Sequence, residues 1–567
     1  MAENNLGYSI RVFGGLNVND QEDQLVMRSH SLTQGGYNQI APAESPSMKN
    51  IDFTKAGFRK RLGSTEESDL TATGDNVLLS DDILVAGVEF TDSASTDRYE
   101  VIVSKKSIYI SKNAAAYTQA NDSASAAYTH DDQTVTKAGF AMTDGHLFIG
   151  LDGANQIQVF KRGTDLDPEM KLNNTYEEAH SVTTHTIEGS WPTGCYLLTT
   201  IHTRLVFSDG DVVLYYTPMA YTATSGIWKM GSAFFFTQGR VLSLNSMSPE
   251  YSDSLKEILY IGTETGFEVL TGFDPTSDIV NRIHGSKAPL NHQSVAVSKN
   301  WICYLTNEKN LYGINKTTVI DLGRRLKNTN ADGPLDDMSL ADSLVNGFAV
   351  YSDDKEQAYF YFSTTSARLN DCCVALDFKL GEPIPGEPQD SFEKRVRCLQ
   401  WCIKDPDDND WFIHIYRTRG AMRGITSAGK TWDTLTDNDD LDSHAVESSW
   451  KSAVFLGGAE GVNKQFGLMI IRSLPKGTFN VTVNIFINRA ESIEKTFSFS
   501  QFLSGYGIWG TSLWGTGVWA STQLVKGTDD IDLYADAIQW EVTNSNTDEP
   551  FEMANMNLNY LIGAEER

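Results

Sequence analysis

The chain has 567 residues, enough to bury large cores and to hold more than one region. Its 74 acidic and 46 basic residues give a net charge of −28, which excludes an adhesive grip on nucleic acid, because such a surface repels phosphates instead of releasing their counterions. Six thinly spread cysteines, including the vicinal pair Cys372 and Cys373, show neither a disulfide framework nor a zinc spacing, and Cys398 and Cys402 lie far from any histidine pair. All six read as free thiols packed in strands.

Met1 to Ile10 has neither a basic start nor an apolar run, and no stretch approaches the roughly 20 apolar residues needed to cross a bilayer. The expectation is a chain made in a cytoplasm, without membrane insertion, in which the sequons at Asn173, Asn315 and Asn480 carry no weight.

Residues 1–65 have little hydrophobic period and read as an extended arm that wraps instead of folding alone. Phe13-Gly14-Gly15-Leu16-Asn17 comes first, then Ala41-Pro42-Ala43-Glu44-Ser45-Pro46-Ser47-Met48-Lys49-Asn50-Ile51-Asp52-Phe53, then Gly57-Phe58-Arg59-Lys60-Arg61-Leu62-Gly63. Pro42 and Pro46 favour extended backbone before them, and Gly14, Gly15 and Gly57 permit tight bends. Arg59-Lys60-Arg61 reads as a solvated strand end or, alternatively, as part of a contact surface.

This opening resembles the first segment of the tail nozzle proteins of short-tailed bacteriophages, also called tail tubular protein B, and covers about the first tenth of the chain. Further on, the likeness is one of layout. The resemblance implies a structural protein of the virion tail, made in the host cytoplasm. It implies a nozzle ring of six copies below the portal and adaptor that forms the DNA ejection channel. Implied partners are other copies of itself, the adaptor and head-to-tail connector proteins, tail fibres or a needle or tip protein, and phage DNA in passage without sequence-specific binding. It implies no catalytic residue, cofactor or metal, hence no enzyme. Phe13, Gly14, Gly15, Arg59, Lys60 and Arg61 are then candidate interface residues, the arm reaching a neighbouring copy or the adaptor.

From about residue 80, short apolar strands alternate with Gly, Asp and Asn turns. Ile83 to Phe90, Tyr99 to Val103 and Ser107 to Ile110 make a first small sheet, Phe140 to Phe160 a second with turns at Asp144-Gly145 and Asp152-Gly153, and Tyr196 to Tyr216 a third. The fourth holds the clearest hairpin, Leu255 to Gly272, preceded by Arg240 to Leu244. Its Ile258-Leu259-Tyr260-Ile261 is too continuously apolar for a strand wet on one face, and Gly262 and Gly266 bracket the turn. Ser294 to Val297, Trp301 to Leu305 and Leu311 to Ile314 supply a fifth; Phe348 to Tyr351, Ala358 to Phe362 and Cys373 to Phe378 a sixth; Trp411 to Tyr416 with Ile425 and Trp432 a seventh. About twenty short strands exceed an ordinary sandwich, and a closed ring of small sheets protects their edges. The fold expected is all-β: a β-propeller of six or seven blades over residues 66–445, with the arm before it.

Residues 446–567 alternate over longer strands, Gly467 to Ile471, Phe479 to Ile487, Lys495 to Phe499, Ile531 to Tyr534, Ala537 to Val542 and Met556 to Leu561, as in a β-sandwich or jelly-roll-like domain. Inside it Trp509, Trp514 and Trp519 recur every five residues beside glycines, reading either as a packed loop over the sandwich or as a contact surface for a neighbouring subunit or distal tail part.

Several motifs resist a chemical reading. Gly424 to Thr431 matches the phosphate-binding pattern G-x-x-x-x-G-K-[ST], yet the acidic stretch after it is no helix, so it reads as a hairpin turn of the last blade. Gly429-Lys430-Thr431-Trp432 resembles the tail of the Asp-box of sialidase propellers, with Ser427 where the defining Asp belongs. The acidic runs Asp405 to Asp410 and Asp437 to Asp442 lack the spacing of a calcium loop and read as solvated. His146, His202, His292 and His414 form no metal spacing and read as satisfied or surface histidines. Two other functions are weighed beside the nozzle: a tail-tip hub or receptor-binding protein, and a glycan-cleaving propeller enzyme.

Overall fold

The computed structural model describes residues 6–10, 13–16, 43–54, 57–61, 65–69, 84–91, 98–113, 117–121, 127–143, 146–161, 171–173, 177–180, 183–186, 192–202, 204–217, 234–248, 257–271, 280–328, 333–353, 355–364, 370, 372–393, 395–402, 412–416, 422–426, 430–433, 439–440, 444–456, 461–474, 480–500, 524–547 and 549–562. Trp509, Trp514 and Trp519, the turn Asp144-Gly145 and most of both acidic runs lie outside them.

Seven four-stranded antiparallel sheets follow one another among the described residues, the first six each a meander. Sheet I comprises Leu84–Thr91, Arg98–Ser104, Ile108–Lys112 and Thr118–Gln119. Sheet II comprises Ala138–Thr143, His146–Leu151, Gln158–Lys161 and Lys171–Asn173. Sheet III comprises Leu197–Ile201, Arg204–Ser208, Val213–Tyr216 and Phe234–Phe236. Sheet IV holds the hairpin Ile258–Thr263 and Gly266–Thr271 between Val241–Met247 and Val280–Arg282. Sheet V comprises Val295–Val297, Ile302–Leu305, Leu311–Asn315 and Thr318–Asp321. Sheet VI comprises Phe348–Ser352, Gln357–Phe362, Cys372–Asp377 and Arg397–Cys402.

Sheet VII is assembled from both ends of this region: Phe412–Tyr416, Met422–Thr426 and Lys430–Asp433 are completed by Thr65–Asp69, which pairs antiparallel with Lys430–Asp433. The first strand of every sheet touches the first strand of the next, and that of sheet VII touches that of sheet I, so the ring closes. This is a β-propeller.

The chemistry of the strands explains the arrangement. Each sheet is stacked between two others, so its middle strands are covered on both faces and carry apolar residues without alternation; Gln357–Phe362 and Cys372–Asp377 are buried at every position. Separate apolar clusters lie between sheets I and II, II and III, III and IV, and IV and V. In the sheet IV hairpin Gly266 has φ +125°, open to glycine but not to a β-branched residue, and a Cβ there would sit 2.7 Å from Ser286 Oγ. Helix is confined, among the described residues, to two short segments and one 3₁₀ turn. No helix among them is long and apolar enough to cross a membrane.

Two further sheets contain the end of the chain. One orders Val525–Ala535, Lys464–Leu474, Glu552–Ile562, Phe58–Lys60 and Ile51–Phe53, with Leu6–Ile10 also on Glu552–Ile562. The other orders Met48–Lys49, Ser448–Lys451, Ile538–Asn544, Asn480–Ile487 and Lys495–Ser500. They pack face to face through rings such as Phe58 stacked on Trp450 at 5.3 Å and Phe455 edge-on to Tyr560 at 5.1 Å. Lys464–Leu474 alternates between buried and partly exposed positions through most of its length, as the sequence pattern predicts for a sheet with one face on the core. The arm therefore supplies strands to both terminal sheets, and the stretch directly after it, Thr65–Asp69, supplies one to sheet VII. One continuous apolar cluster runs from sheets V and VI through the arm into both terminal sheets.

Candidate functional site

Two places concentrate polar groups: the joint where the arm meets sheet VI, and a chamber at the hub of the ring.

At the joint, Asn50 takes a left-handed backbone, φ +55°, which a short amide side chain tolerates. Its Oδ1 accepts from the Cys402 N–H at 2.9 Å and from Arg61 Nε at 3.0 Å, and its Nδ2 donates to the Glu447 carbonyl at 2.7 Å. Trp401 Nε1 donates to the Ile51 carbonyl at 2.8 Å. Asp52 Oδ2 receives a forked pair from Arg59, at 3.1 and 2.6 Å, and its Oδ1 accepts from Gln357 Nε2 at 3.1 Å. Gln357 also donates to Asp377 Oδ2 at 2.7 Å, and Asp377 Oδ1 meets Arg397 Nη2 at 3.1 Å. Lys379 Nζ lies 3.5 Å from Asp52 and 3.3 Å from Asp377, and donates to the Phe53 carbonyl at 2.7 Å. The Arg397 guanidinium sits over the Phe53 ring at 4.2 Å.

Burial alone would push the Asp52 carboxyl up, but the Lys379 and Arg59 cations and the hydrogen bonds of Arg59 and Gln357 outweigh it and hold its pKa well below the usual carboxylate range. Gly57 is required by a close approach, since a Cβ would fall 1.8 Å from the Met553 carbonyl oxygen.

Two residues of the basic triplet thus depart from the solvated strand end expected of a charge run, while Arg59 stays partly exposed. Lys60 is 1% and Arg61 3% exposed. Lys60 Nζ donates to Asn544 Oδ1 at 3.0 Å and the Asn546 carbonyl at 2.7 Å, and Arg61 Nη2 donates to the Cys402 carbonyl at 3.1 Å. Charges leave water when every donor finds an acceptor, and here the terminal sheets and sheet VI supply them. Phe13, Gly14 and Gly15 lie in strand Phe13–Leu16, which pairs parallel with Ala43–Ser45 and touches the last strand of sheet VI. Strand Phe13–Leu16 and Arg61 thus both meet the last strand of sheet VI, while Arg59 pairs with Asp52 and Lys60 with the terminal sheets.

The hub chamber has a volume of about 410 Å³ and is walled by the first strands of sheets I to IV and VI and by residues 292–297 of sheet V and the segment leading into it. His292 is half-buried, and the surface it keeps faces this chamber. The Leu244 N–H donates to its Nδ1 at 3.4 Å, leaving the proton on Nε2, and burial pushes the imidazole pKa down to about 4, so the ring is neutral. Gln293 Nε2 donates to the carbonyls of Val85 and Ala138, both at 3.5 Å. Asn245, Thr199 and Ser246 complete the polar wall, with the two hydroxyls 3.4 Å apart.

The remaining motifs assemble no chemistry. Met422–Thr426 and Lys430–Asp433 pair antiparallel, so the P-loop-like string joins two strands as expected and Lys430 lies in a strand, not at the start of a helix. No group of three His, Cys, Asp or Glu residues among the described ones is placed to hold a metal. The cysteines are free; burial pushes the Cys398 thiol up to about 12 and those of Cys195, Cys303 and Cys373 higher, the reverse of an activated nucleophile. Sequence reasoning singled out the arm string but missed Gln357, Asp377, Lys379 and Arg397, and took His292 as one more satisfied histidine. A buried Asp377 and Arg397 inside otherwise apolar strands were the available signal.

No protein-family model matches the chain, and no curated protein matches it. Among solved structures it is similar to a chain of the mitotic checkpoint complex, at 10% identity over 64% of this chain and 95% of that one with a TM-score of 0.34. It is similar to YCF48 bound to D1 peptide, at 8% identity over 69% and 98% with a TM-score of 0.35. It is also similar to an exo-beta-1,3-galactanase from Phanerochaete chrysosporium, at 8% identity over 78% and 98% with a TM-score of 0.26. Likenesses this remote carry no argument about what the chain does.

Proposed function

We propose that this chain is a structural subunit of a bacteriophage tail, the nozzle ring beneath the portal and adaptor through which the genome leaves. On this reading the seven sheets are the blades of a seven-bladed propeller closed by Thr65–Asp69, the two terminal sheets form a β-sandwich, and other tail proteins dock on the propeller. The observation that carries the proposal is what the fold does with the string that resembles the nozzle family. Asn50, Asp52, Phe53, Arg59, Lys60 and Arg61 are consumed in joining the terminal sheets to sheet VI. A conduit subunit needs such a rigid joint, and most polar groups gathered there, Arg397 Nε being an exception, are spent on one another instead of facing a substrate.

Charge supports the same reading. Six chains at −28 bring about −170 to the ring, which repels DNA in transit. Native mass spectrometry of the purified chain, alone and mixed with portal and adaptor, together with electron microscopy of virions, tests the proposal. The expected result is a six-fold ring that locates below the adaptor. A lone monomer both in virions and after mixing with adaptor overturns it.

A further inference from the structure

The hub chamber is a built site that the arm joint does not use. Its volume of about 410 Å³ falls within the ~300–1,000 Å³ of small-molecule sites. We propose that it binds a neutral, hydroxyl-rich molecule of monosaccharide size, held by the His292 imidazole, the Asn245 and Gln293 carboxamides and the Thr199 and Ser246 hydroxyls.

The donor and acceptor set carries the argument. Nε2 of His292 is the protonated nitrogen and a donor, because Nδ1 already accepts from Leu244. The ring is positioned against the backbone of Gly139, where a Cβ would sit 3.2 Å from Nε2. Nδ2 of Asn245 is shut off from solvent and meets no acceptor among the described residues, a costly state for a polar atom that is relieved if the carboxamide turns toward a ligand in the chamber. Gln293 spends its amide hydrogens on two carbonyls, which leaves its Oε1 to accept. Carboxamides and hydroxyls both give and take hydrogen bonds, and a sugar hydroxyl does the same.

Charge narrows the class. Among the described residues no lysine or arginine lines the chamber, so an anion finds no counter-charge there, and the imidazole is uncharged. Glu89 is the one wall carboxylate among the described residues, and it is already engaged within the chain, so a cation gains little. Between the polar groups stand apolar side chains such as Val295 and Leu198, suited to the C–H faces of a sugar ring. Glycosidic cleavage ordinarily takes two carboxyl groups across the bond, and the wall has one; the site therefore binds and does not cut.

Saturation-transfer NMR on the full chain tests this, with D-glucose, D-galactose and N-acetyl-D-glucosamine as probes and inorganic phosphate and putrescine as charged controls. The expected result is saturable binding of at least one sugar and none of the controls. Ala349→Phe, which fills the chamber, abolishes that signal, and Asn245→Leu weakens it about tenfold, the loss of one well-made hydrogen bond with its partner left unpaired. Circular dichroism reports whether each variant is folded, and Ser246→Ala stands in if Ala349→Phe is not. Absence of saturable binding for all three sugars, equal binding by wild type and the folded variants, or preferential binding of phosphate or putrescine overturns the proposal. Ring assembly is read by a different measurement, so this site and the tail reading fail separately.

Discussion

Gln357–Phe362 in sheet VI is buried at all six positions, whereas Lys464–Leu474 in the terminal region largely alternates buried with partly exposed residues. Both are strands in the middle of an antiparallel sheet. The difference is what covers them: a ring sheet has a neighbour on each face, and a terminal sheet has one partner and water. Burial on both faces makes a strand uniformly apolar, and burial on one makes it alternate. Alternation also fixes register, since a slip of one residue would turn the whole apolar set to solvent, while in the ring that task falls to turns such as Gly266 and to the rare buried polar pairs.

The largest expected effect comes from testing that difference directly. Phe360→Ala in sheet VI lowers stability by about 3–5 kcal/mol, while Leu468→Ala, at an exposed position of the terminal strand, stays within about 0.5 kcal/mol, both read from denaturant unfolding. Similar costs at the two positions would break the comparison. A scan of neighbouring residues sharpens it: Tyr359 and Phe360 both cost in the ring, whereas the terminal strand answers strongly at Met469 and Ile471 and weakly at Leu468 between Gly467 and Met469.

The joint between the regions comes next. Asp52→Asn leaves Arg59 without its carboxylate and Lys379 with Asp377 alone, and lowers stability at neutral pH by about 2–4 kcal/mol. Because the folded pKa of Asp52 is depressed, its contribution is fully present above the unfolded carboxyl value near 3.9 and is lost as pH falls through the folded value. The gap between wild type and variant should then be constant from neutral pH to about pH 5 and close below about pH 4. A gap that stays open in acid would show that the joint does not depend on this charge.

The smallest effect lies at the hub. With its pKa pushed down to about 4, His292 stays neutral in the folded ring while the unfolded chain takes up a proton near pH 6.5. Stability is therefore full above about pH 6.5 and falls by about 2–3 kcal/mol as the pH drops toward 4. His292→Asn removes that slope and leaves the Asp52 contribution below pH 4 untouched. NMR titration of the imidazole gives the pKa independently, and a value near 6.5 would show that water on the exposed side of this half-buried ring cancels the effect of burial.

Much of the strand content was legible in the residues. The leading strands of sheets I to VI, read singly or as one stretch, and all six long terminal strands follow from apolar runs, alternation and Gly, Asp and Asn turns, with ends shifted by several residues, whereas sheet VII showed its first strand and single residues of the next two. The short outer strands escaped notice. Thr65–Asp69, Thr-Glu-Glu-Ser-Asp, carries no strand pattern at all, yet it closes sheet VII because the free edge of Lys430–Asp433 offers it a ladder of hydrogen bonds. Arg59-Lys60-Arg61 looked like a face for water, yet Lys60 and Arg61 lie inside, because acceptors that make their burial tolerable come from residues more than 300 positions away as well as from Asn50.

The amino-acid sequence by itself determined that the chain is all-β, where its inner strands run and which stretches are covered on one face or two, since strand periodicity and turn chemistry are properties of neighbouring residues. Only the tertiary structure decided that the arm is a joint, that the ring closes on a strand from before it, and that His292, Asn245 and Gln293 meet around one chamber. Closure and charge burial depend on which distant groups arrive beside one another, and no local pattern encodes that.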